Sequence, residues 1–415
     1  MLRIAVSIFS LLFSVTLLLN GMGLLGTLVG LRAAIEGFSV TLVGMVMSAY
    51  FFGFIVGSWF CPAVIYSVGH IRAFAAFATV ASAVAIAYPL VVNPYVWIIL
   101  RVLTGLTIAG IYMIIESWLN VIAPNEIRGR LFALYTAITL FALGTGQYLL
   151  LLGEVAHFNL FALISILISL SLLPIVMTRI NQPDSVPSPH LGLRRLAAIS
   201  PLGLWTTFTA GITGGAFWGM GPLFGESVRS SSNEVGVLMS VVIFGGALLQ
   251  WPIGRISDHI DRRWVMLLVA LLGALFAYIA YASLLLSDTL FYLTMFLFGG
   301  TSFTIYALGV AHVNDLLQVD EMLEATRALL LVYGIGATIG PLLASAVMQQ
   351  FGAIHLLGFF SAALGLLSLF TLYRLLTGRR VALSEQGEFV PMVRTSAVVL
   401  EMAPQLSEAS NRENR

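Results

Sequence analysis

Residues 233–253 read NEVGVLMSVVIFGGALLQWPI, residues 254–263 read GRISDHIDRR, and residues 264–287 read WVMLLVALLGALFAYIAYASLLLS, so that two apolar runs flank one short charged loop. A helix needs about 20 apolar residues to cross roughly 30 Å of hydrocarbon. Each of the two runs is long enough. The stretch therefore predicts a pair of membrane-spanning helices joined by a polar hairpin loop.

The rest of the chain repeats this pattern. Of its 415 residues, 59% are hydrophobic and only 9% are charged, whereas about a quarter of the residues in a typical soluble domain are charged. Twelve apolar runs are long enough to span a bilayer, at residues 4–31, 39–66, 71–92, 95–123, 131–153, 157–178, 201–224, 233–253, 264–287, 289–317, 328–350 and 353–377. These features exclude a soluble globular protein and predict an all-α polytopic membrane protein with twelve transmembrane helices.

Polar sequence divides the twelve runs into two groups of six. Residues 1–178 are predicted to form an N-terminal six-helix half, and residues 201–377 a C-terminal six-helix half. Residues 179–200, which include three prolines, are predicted to be a central cytoplasmic linker. Residues 378–415 have too few large apolar residues to fold alone, so they are predicted to be a disordered cytoplasmic tail.

The arginines give the predicted orientation, because positively charged short loops stay in the cytoplasm. With the N-terminus inside, fourteen arginines fall on the cytoplasmic side, and only Arg32 and Arg229 fall outside. An even number of spans then returns the C-terminus to the cytoplasm as well. Both termini are therefore predicted to be cytoplasmic.

The composition also argues against several kinds of chemistry. A formal net charge of +1 argues against nucleic acid as a partner, and the one cysteine excludes an intrachain disulfide and a cysteine-based metal cage. The six histidines show no metal-ligand spacing, and no glycine-rich phosphate loop is present. We therefore expect no catalytic residues, no cofactor and no bound metal, and we expect a monomer in the lipid bilayer.

Short motifs in the two halves indicate a family. They comprise an Arg-x-x-x-Gly in the fourth span (Arg101, Gly105), a Gly-x-x-x-Asp-x-x-x-Arg-Arg loop (Gly254, Asp258, Arg262, Arg263), and a Gly-x-x-x-Gly-Pro in the eleventh span (Gly336, Gly340, Pro341). With twelve spans and a central linker, this pattern resembles the major facilitator superfamily. The segments Glu116-Ser-Trp118, Arg128 to Leu131 and Gln250 to Arg255 resemble its YcaD branch of bacterial members.

The resemblance implies a multi-pass protein of the bacterial inner membrane whose two halves rock about a midplane site, which is transport by alternating access. It also implies a role for the charged loop after the eighth span. Gly254, Asp258, Arg262 and Arg263 are predicted to form a conformational latch in which Asp258 docks at the positive N-terminus of the fifth span, near Arg128 and Arg130. The alternative is a solvated loop with ordinary positive charges. Gly105, Gly336, Gly340 and Pro341 are assigned to helix packing.

Ionisable groups at membrane depth are functional candidates, because each costs at least about 2.5 kcal/mol to insert. Arg101, Tyr112 and Glu116 share one face of the fourth span. Glu116 is predicted to carry a proton; alternatively, its carboxylate is tied to a neighbouring helix. Arg101 is either a contact for a substrate anion or a hydrogen-bonding element inside the bundle.

Three other spans carry polar stripes of the same kind. The tenth span has His312 and Asp315 on one face, as a proton relay or as a packing histidine next to an acidic cytoplasmic cluster. The first span has Asn20, and the seventh has Thr209 and Thr213. Together with the fourth span, these stripes are predicted to line a solvated pathway for substrate and protons.

The sequence therefore predicts a secondary active transporter for a small organic solute, coupled to protons. The alternative is a facilitative uniporter, a channel-like protein or a receptor without ion coupling. Few acidic groups and the presence of Arg101 favour an anionic or amphipathic solute over a strongly cationic one.

Overall fold

The computed structural model describes residues 2–123, 127–177, 193–229, 231–284, 286–318 and 321–377, together with 383, 386–387 and 389–390. These residues form helices and no strands. In chain order the helices are α1 (Leu2–Ile35), α2 (Val40–Val68), α3 (His70–Leu90), α4 (Pro94–Ile122), α5 (Arg128–Gly146), α6 (Asn159–Met177), α7 (Leu193–Ile199), α8 (Pro201–Val228), α9 (Ser232–Ser257), α10 (Arg262–Ser283), α11 (Asp288–Asn314), α12 (Met322–Phe351) and α13 (His355–Thr377).

Local sequence sets where several helices begin and end. The Asn93 side chain accepts hydrogen bonds from the first amides of α4, and Pro94 occupies the first helical position, where no amide donor is needed. Serines cap α2, α8, α9 and α11 in the same way. Gly69 and Gly352 end α2 and α12 with φ of 84° and 99°, which favours glycine.

Eleven of the described helices are long and apolar enough to cross a membrane. The two exceptions are the seven-residue helix α7 and α8; α8 is the seventh predicted span, and its 28 residues make it long enough. Its four threonines and seven glycines lower its hydropathy. The structure thus has twelve long helices, as the sequence predicts, and the threonine-rich one is the least apolar of them.

The helix bounds differ from the predicted spans and linker at two places. The fifth predicted span does not stay α-helical, because α5 ends at Gly146 and a 3-10 helix, Gln147–Leu152, continues it. Within the predicted linker at 179–200, Leu193–Ile199 forms the short helix α7. Residues 178–192 of that region lie outside the described residues.

The described helices belong to two compact units, the first holding α1–α6 and the second α7–α13 with the described tail residues. In the first unit α2 packs most extensively on α4, while α1 packs on α5 and α6. In the second unit α9 packs on α11, and α8 packs on α12. The second long helix therefore packs on the fourth, and the first on the fifth, in both units, so the two units share one packing pattern.

Glycines make the closest helix crossings of each unit possible. A Cβ atom on Gly105 would lie 1.9 Å from the carbonyl oxygen of Tyr50, and one on Gly53 would lie 2.1 Å from that of Val102. In the second unit, a Cβ atom on Gly245 would lie 1.9 Å from the carbonyl oxygen of Phe296, and one on Gly299 would lie 2.0 Å from that of Val242. Only glycine fits at such distances, so backbone lies directly against backbone at the α2–α4 and α9–α11 crossings.

The α8–α12 crossing uses the glycines that the sequence assigned to helix packing. A Cβ on Gly336 would lie 2.4 Å from the carbonyl oxygen of Phe208, and one on Gly340 would lie 2.3 Å from that of Ile212. Pro341 follows inside the same helix. The small-residue motif therefore lies at a real helix contact.

Candidate functional site

Arg101 lies inside the first unit, with 3% of its surface exposed. Its terminal nitrogen Nη2 is 2.9 Å from the Sδ atom of Met47, and its guanidinium carbon is 5.7 Å from the centre of the Tyr50 ring. Its Nε atom has no hydrogen-bond partner among the described residues. The positive charge is thus held by the polarisable sulfur and aromatic face of α2.

Glu116 is completely buried on α4, fifteen residues after Arg101. The hydroxyl of Tyr135 on α5 donates a hydrogen bond of 2.9 Å to its Oε1 atom, so this carboxyl group is joined to a neighbouring helix, as the alternative interpretation expects. Tyr112, one turn earlier, is also buried. At 1.5 Å per residue, Arg101 and Glu116 are about 22 Å apart along the helix, so they occupy different depths of the bundle.

Asn20 is used in the contact between α1 and α5. Its Nδ2 atom donates to the Thr16 carbonyl at 2.8 Å, and its Oδ1 atom accepts from the Thr145 hydroxyl at 3.1 Å. A similar buried amide, Gln147, accepts from Thr27 at 2.6 Å and donates to the carbonyl of Gly23 at 2.9 Å. The sequence prediction did not include Gln147, although an amide side chain within a predicted span, like that of Asn20, marks a candidate polar site.

Threonines face the interior of the second unit on α8. Thr213 donates to the Thr209 carbonyl at 3.0 Å, so this predicted pair is satisfied along its own helix. The buried hydroxyls of Thr206 and Thr207, in contrast, have no partner among the residues that the structure describes. Both lie next to Gly309 of α11, where a Cβ would be 3.0 Å from the Thr207 hydroxyl. Thr207 is a second candidate that the sequence reading did not single out.

His312 and Asp315 lie on the same helix turn but belong to different surroundings. Both oxygens of Asp315 accept from Nη1 of Arg262, at 2.9 and 2.8 Å. His312 is buried, and the charges acting on its ring are those of Arg262, Arg263, Asp261 and Arg374. The described contacts therefore do not pair His312 with Asp315, and they place Asp315 with the charged loop after α9.

That loop is the centre of a buried ion-pair network. Arg262 is 1% exposed and also reaches Asp258 at 3.3 Å, while Arg263 pairs with Asp261 at 2.8 Å. Burial raises the pKa of Asp315 to about 6, against the opposing effects of Arg262 and of a backbone amide of the tail, and Asp258 adds to the rise. Asp258 and Arg262 of the predicted latch and Asp315 of the predicted tenth span thus belong to one ion-pair network.

The described tail residues reach the same network. The Gly387 amide donates to Asp315 at 3.0 Å, and the Phe389 amide donates to Asp258 at 2.7 Å. These two residues belong to the tail at 378–415 that is predicted to be disordered; two long-range hydrogen bonds to carboxylates hold them, and most of the tail lies outside the described residues. Of the other predicted latch residues, Arg130 is exposed and the Arg128 side chain lies outside the described residues.

Within the described parts of the chain, no group of three or more histidine, cysteine, aspartate or glutamate side chains is placed to hold a metal ion. Apart from the ion pairs of the charged loop after α9, the described buried polar groups are carboxyl, hydroxyl, amide and guanidinium groups distributed along the helices. Such groups are able to form hydrogen bonds with a polar solute.

Family models match both halves of the chain. The model described as Major Facilitator Superfamily matches residues 203–402, and the one described as Sugar (and other) transporter matches residues 20–179. The uncharacterized MFS-type transporter YcaD of Escherichia fergusonii is 29% identical over 346 residues, covering 82% of this chain and 88% of that protein. Its counterpart in Salmonella newport is 28% identical over 348 residues, with the same shares of the two chains.

Solved transporter structures have the same fold. A bacterial homologue of the human lysosomal transporter Spinster has a TM-score of 0.74 at 13% identity, covering 92% of this chain and 97% of that one. The nucleoside transporter NupG has a TM-score of 0.71 at 11% identity, covering 89% and 99%. A D-xylose–proton symporter has a TM-score of 0.63 at 14% identity, covering 88% and 96%. The motifs, the paired helix packing and these matches together show that the chain belongs to the major facilitator superfamily of multi-pass membrane transporters, in its YcaD-like branch.

Proposed function

We propose that this protein is a secondary active transporter that carries a small organic solute across the bacterial inner membrane by alternating access, coupled to protons. The observation that carries the proposal is Glu116, a fully buried carboxylate on α4 that accepts a hydrogen bond from Tyr135 on α5. Membership of the transporter family supports the carrier function, and Glu116 is the proposed proton-binding residue.

Glu116 suits a proton carrier because it is an ionisable group enclosed by the helices. The Tyr135 hydroxyl donates a hydrogen bond to it from α5. An enclosed carboxyl group can take up a proton in one state of a carrier and release it in another when its surroundings change.

Arg101 is a fixed electrostatic element in this scheme. Its guanidinium keeps its proton at any physiological pH, and it contacts Met47 and Tyr50 within its own unit. These contacts weaken the argument for an anionic solute, which rested on Arg101 being available to a ligand. A neutral polar solute is therefore the first class to test.

Relatives and neighbours suggest which neutral solutes to test. Their names include a sugar transporter family, a nucleoside transporter and a D-xylose–proton symporter. The unpartnered hydroxyls of Thr206 and Thr207 on α8 are suited to hydrogen-bond such polyhydroxylated molecules. We propose these two threonines, rather than Thr209 and Thr213, as solute contacts in the second unit.

The latch remains a proposal. It comprises Gly254, Asp258, Arg262 and Arg263 of the charged loop after α9, together with Arg128 and Arg130 in the first turn of α5. The burial of Arg262 and its two carboxylate partners support this proposal, because such a network has a defined geometry that a solvated loop lacks.

Proteoliposomes test the proposed proton coupling. A panel of radiolabelled sugars and nucleosides is offered with and without an imposed pH gradient. One proton per solute supports about tenfold accumulation for each unit of pH difference. Glu116→Gln should abolish accumulation and keep downhill exchange.

Glu154→Gln is the matched control, because this carboxylate is exposed in the connection before α6 and its loss should leave accumulation unchanged. Accumulation that survives Glu116→Gln would refute the role of Glu116. Uptake that saturates but never responds to a pH gradient would instead indicate a facilitative uniporter.

A further inference from the structure

The charge network after α9 binds a short segment of the chain's own tail. This surface comprises Gly254, Asp258, Arg262 and Asp315, which come from the end of α9, the start of α10 and the end of α11. The occupant consists of the described residues between Gln386 and Val390. All of these residues belong to the second unit.

Polar contacts between surface and tail are made by backbone atoms of the tail. The Gly387 amide donates to Asp315 at 3.0 Å, and the Phe389 amide donates to Asp258 at 2.7 Å. Nη2 of Arg262 donates to the Gly387 carbonyl at 2.7 Å. Three charge-assisted hydrogen bonds thus connect the tail backbone to two carboxylates and one guanidinium.

An aromatic side chain adds an apolar contact to these bonds. The Phe389 ring is 9% exposed and lies against Gly254, where a Cβ atom would be 2.0 Å from its Cδ1 atom. Gly254 is therefore needed for the ring to reach the helix. Leu383, three residues before Gln386, lines a cavity beside the first turn of α10 together with His259 and Trp264.

We propose that the tail segment around Gly387 and Phe389 is an intrachain clasp that holds the ends of α9, α10 and α11 together. The Oδ1 atom of Asp258 accepts from both Arg262 and Phe389. A docked tail therefore competes with any partner that Asp258 would take as a latch, and tail release makes this carboxylate available. The competition rests on the proposed latch; the docking itself does not.

Hydrogen–deuterium exchange on the full-length protein in lipid nanodiscs tests the clasp without any transport assay. In the wild type, the peptide containing Gly387 and Phe389 should exchange at least about tenfold more slowly than an unstructured peptide, because one hydrogen bond to a charged group supplies such a factor. Phe389→Ala should remove this protection and raise exchange in residues 254–262 at the same time.

Gly254→Ala is a second variant that leaves the tail intact. Alanine favours a helix over glycine, but its Cβ would displace the Phe389 ring, so tail protection should fall although the helix itself is not weakened. Arg255→Ala, at an exposed position of the same turn, is the matched control and should change nothing. A wild-type tail without protection would overturn the clasp, and so would protection that both Phe389→Ala and Gly254→Ala leave intact. Loss of transport in any variant would not affect either result.

Discussion

The closest helix crossing of the first unit gives the sharpest prediction about stability. In Gly105→Ala, the new Cβ atom would lie 1.9 Å from the Tyr50 carbonyl oxygen and 2.7 Å from the Phe54 amide nitrogen. An ordinary contact between carbon and oxygen is about 3.3 Å or longer. The α2 and α4 backbones must therefore separate by more than about 1 Å along their crossing.

The expected cost follows from this separation. Overpacking of a well-packed core costs about 1 to 3 kcal/mol, and the upper end applies because the opposing atoms are backbone and cannot rotate away. Alanine recovers up to about 1 kcal/mol through its higher helix propensity. The net destabilisation is about 2 kcal/mol, which lowers the melting temperature by roughly 4 to 8 °C for a unit of this size.

Thermal unfolding of purified protein in detergent measures this effect. Gly26→Ala is the matched control, because a Cβ on this α1 glycine would meet nothing within 4 Å. The control should melt at or slightly above the wild-type temperature. Gly299→Ala, at the equivalent crossing of the second unit, should resemble Gly105→Ala. If Gly105→Ala melts with the control, the close backbone contact and the packing account built on it are incorrect.

Three further predictions concern the polar sites. Burial raises the pKa of Asp315 from 3.8 to about 6, so its contribution to stability is full below pH 3.8 and is lost as the pH rises through 6. Relative to Asp315→Asn, the wild type should therefore gain on the order of 1 kcal/mol of unfolding free energy between pH 7 and pH 5; a difference that does not vary with pH contradicts this. Asp258→Asn should shift the populations of inward- and outward-open states in spin-label distance measurements, and unchanged distances would argue against the latch. Thr207→Val should raise the KM for solute several-fold at unchanged melting temperature, because the hydroxyl has no partner among the described residues; a fall in stability with unchanged KM would make it a structural residue.

Much of the fold is predictable because it depends on local sequence. Runs of about 20 apolar residues identify helices whatever surrounds them, and Asn93 with Pro94 marks the start of α4 from adjacent residues alone. Among the described long helices, the hydropathy signal is weak for α8, because its threonines and glycines, which serve packing and polar contacts, lower the mean hydropathy. Gly336 and Gly340 are likewise recognisable in the sequence as a small-residue motif. The sequence does not show that they pack against α8.

The chemistry of the sites depends on contacts between residues far apart in sequence. Glu116 is recognisable as a buried carboxylate, but its bond to Tyr135 depends on how α4 and α5 pack. Asp315 shares a helix face with His312, yet Arg262, 53 residues away, determines its environment. Gly387 and Phe389 contact residues more than 70 positions away in the sequence, and the tail has no periodic pattern that would predict these contacts.

Solute counterflow in proteoliposomes tests the central claim, that this protein is an alternating-access carrier, most directly. Vesicles preloaded with an unlabelled solute from the panel are diluted into a trace of the same labelled solute. A carrier whose site faces one side at a time exchanges the two, so labelled solute should rise transiently above its equilibrium level inside and then decline. A monotonic approach to equilibrium without this overshoot, for a solute that the protein demonstrably passes, would contradict alternating access and indicate a channel.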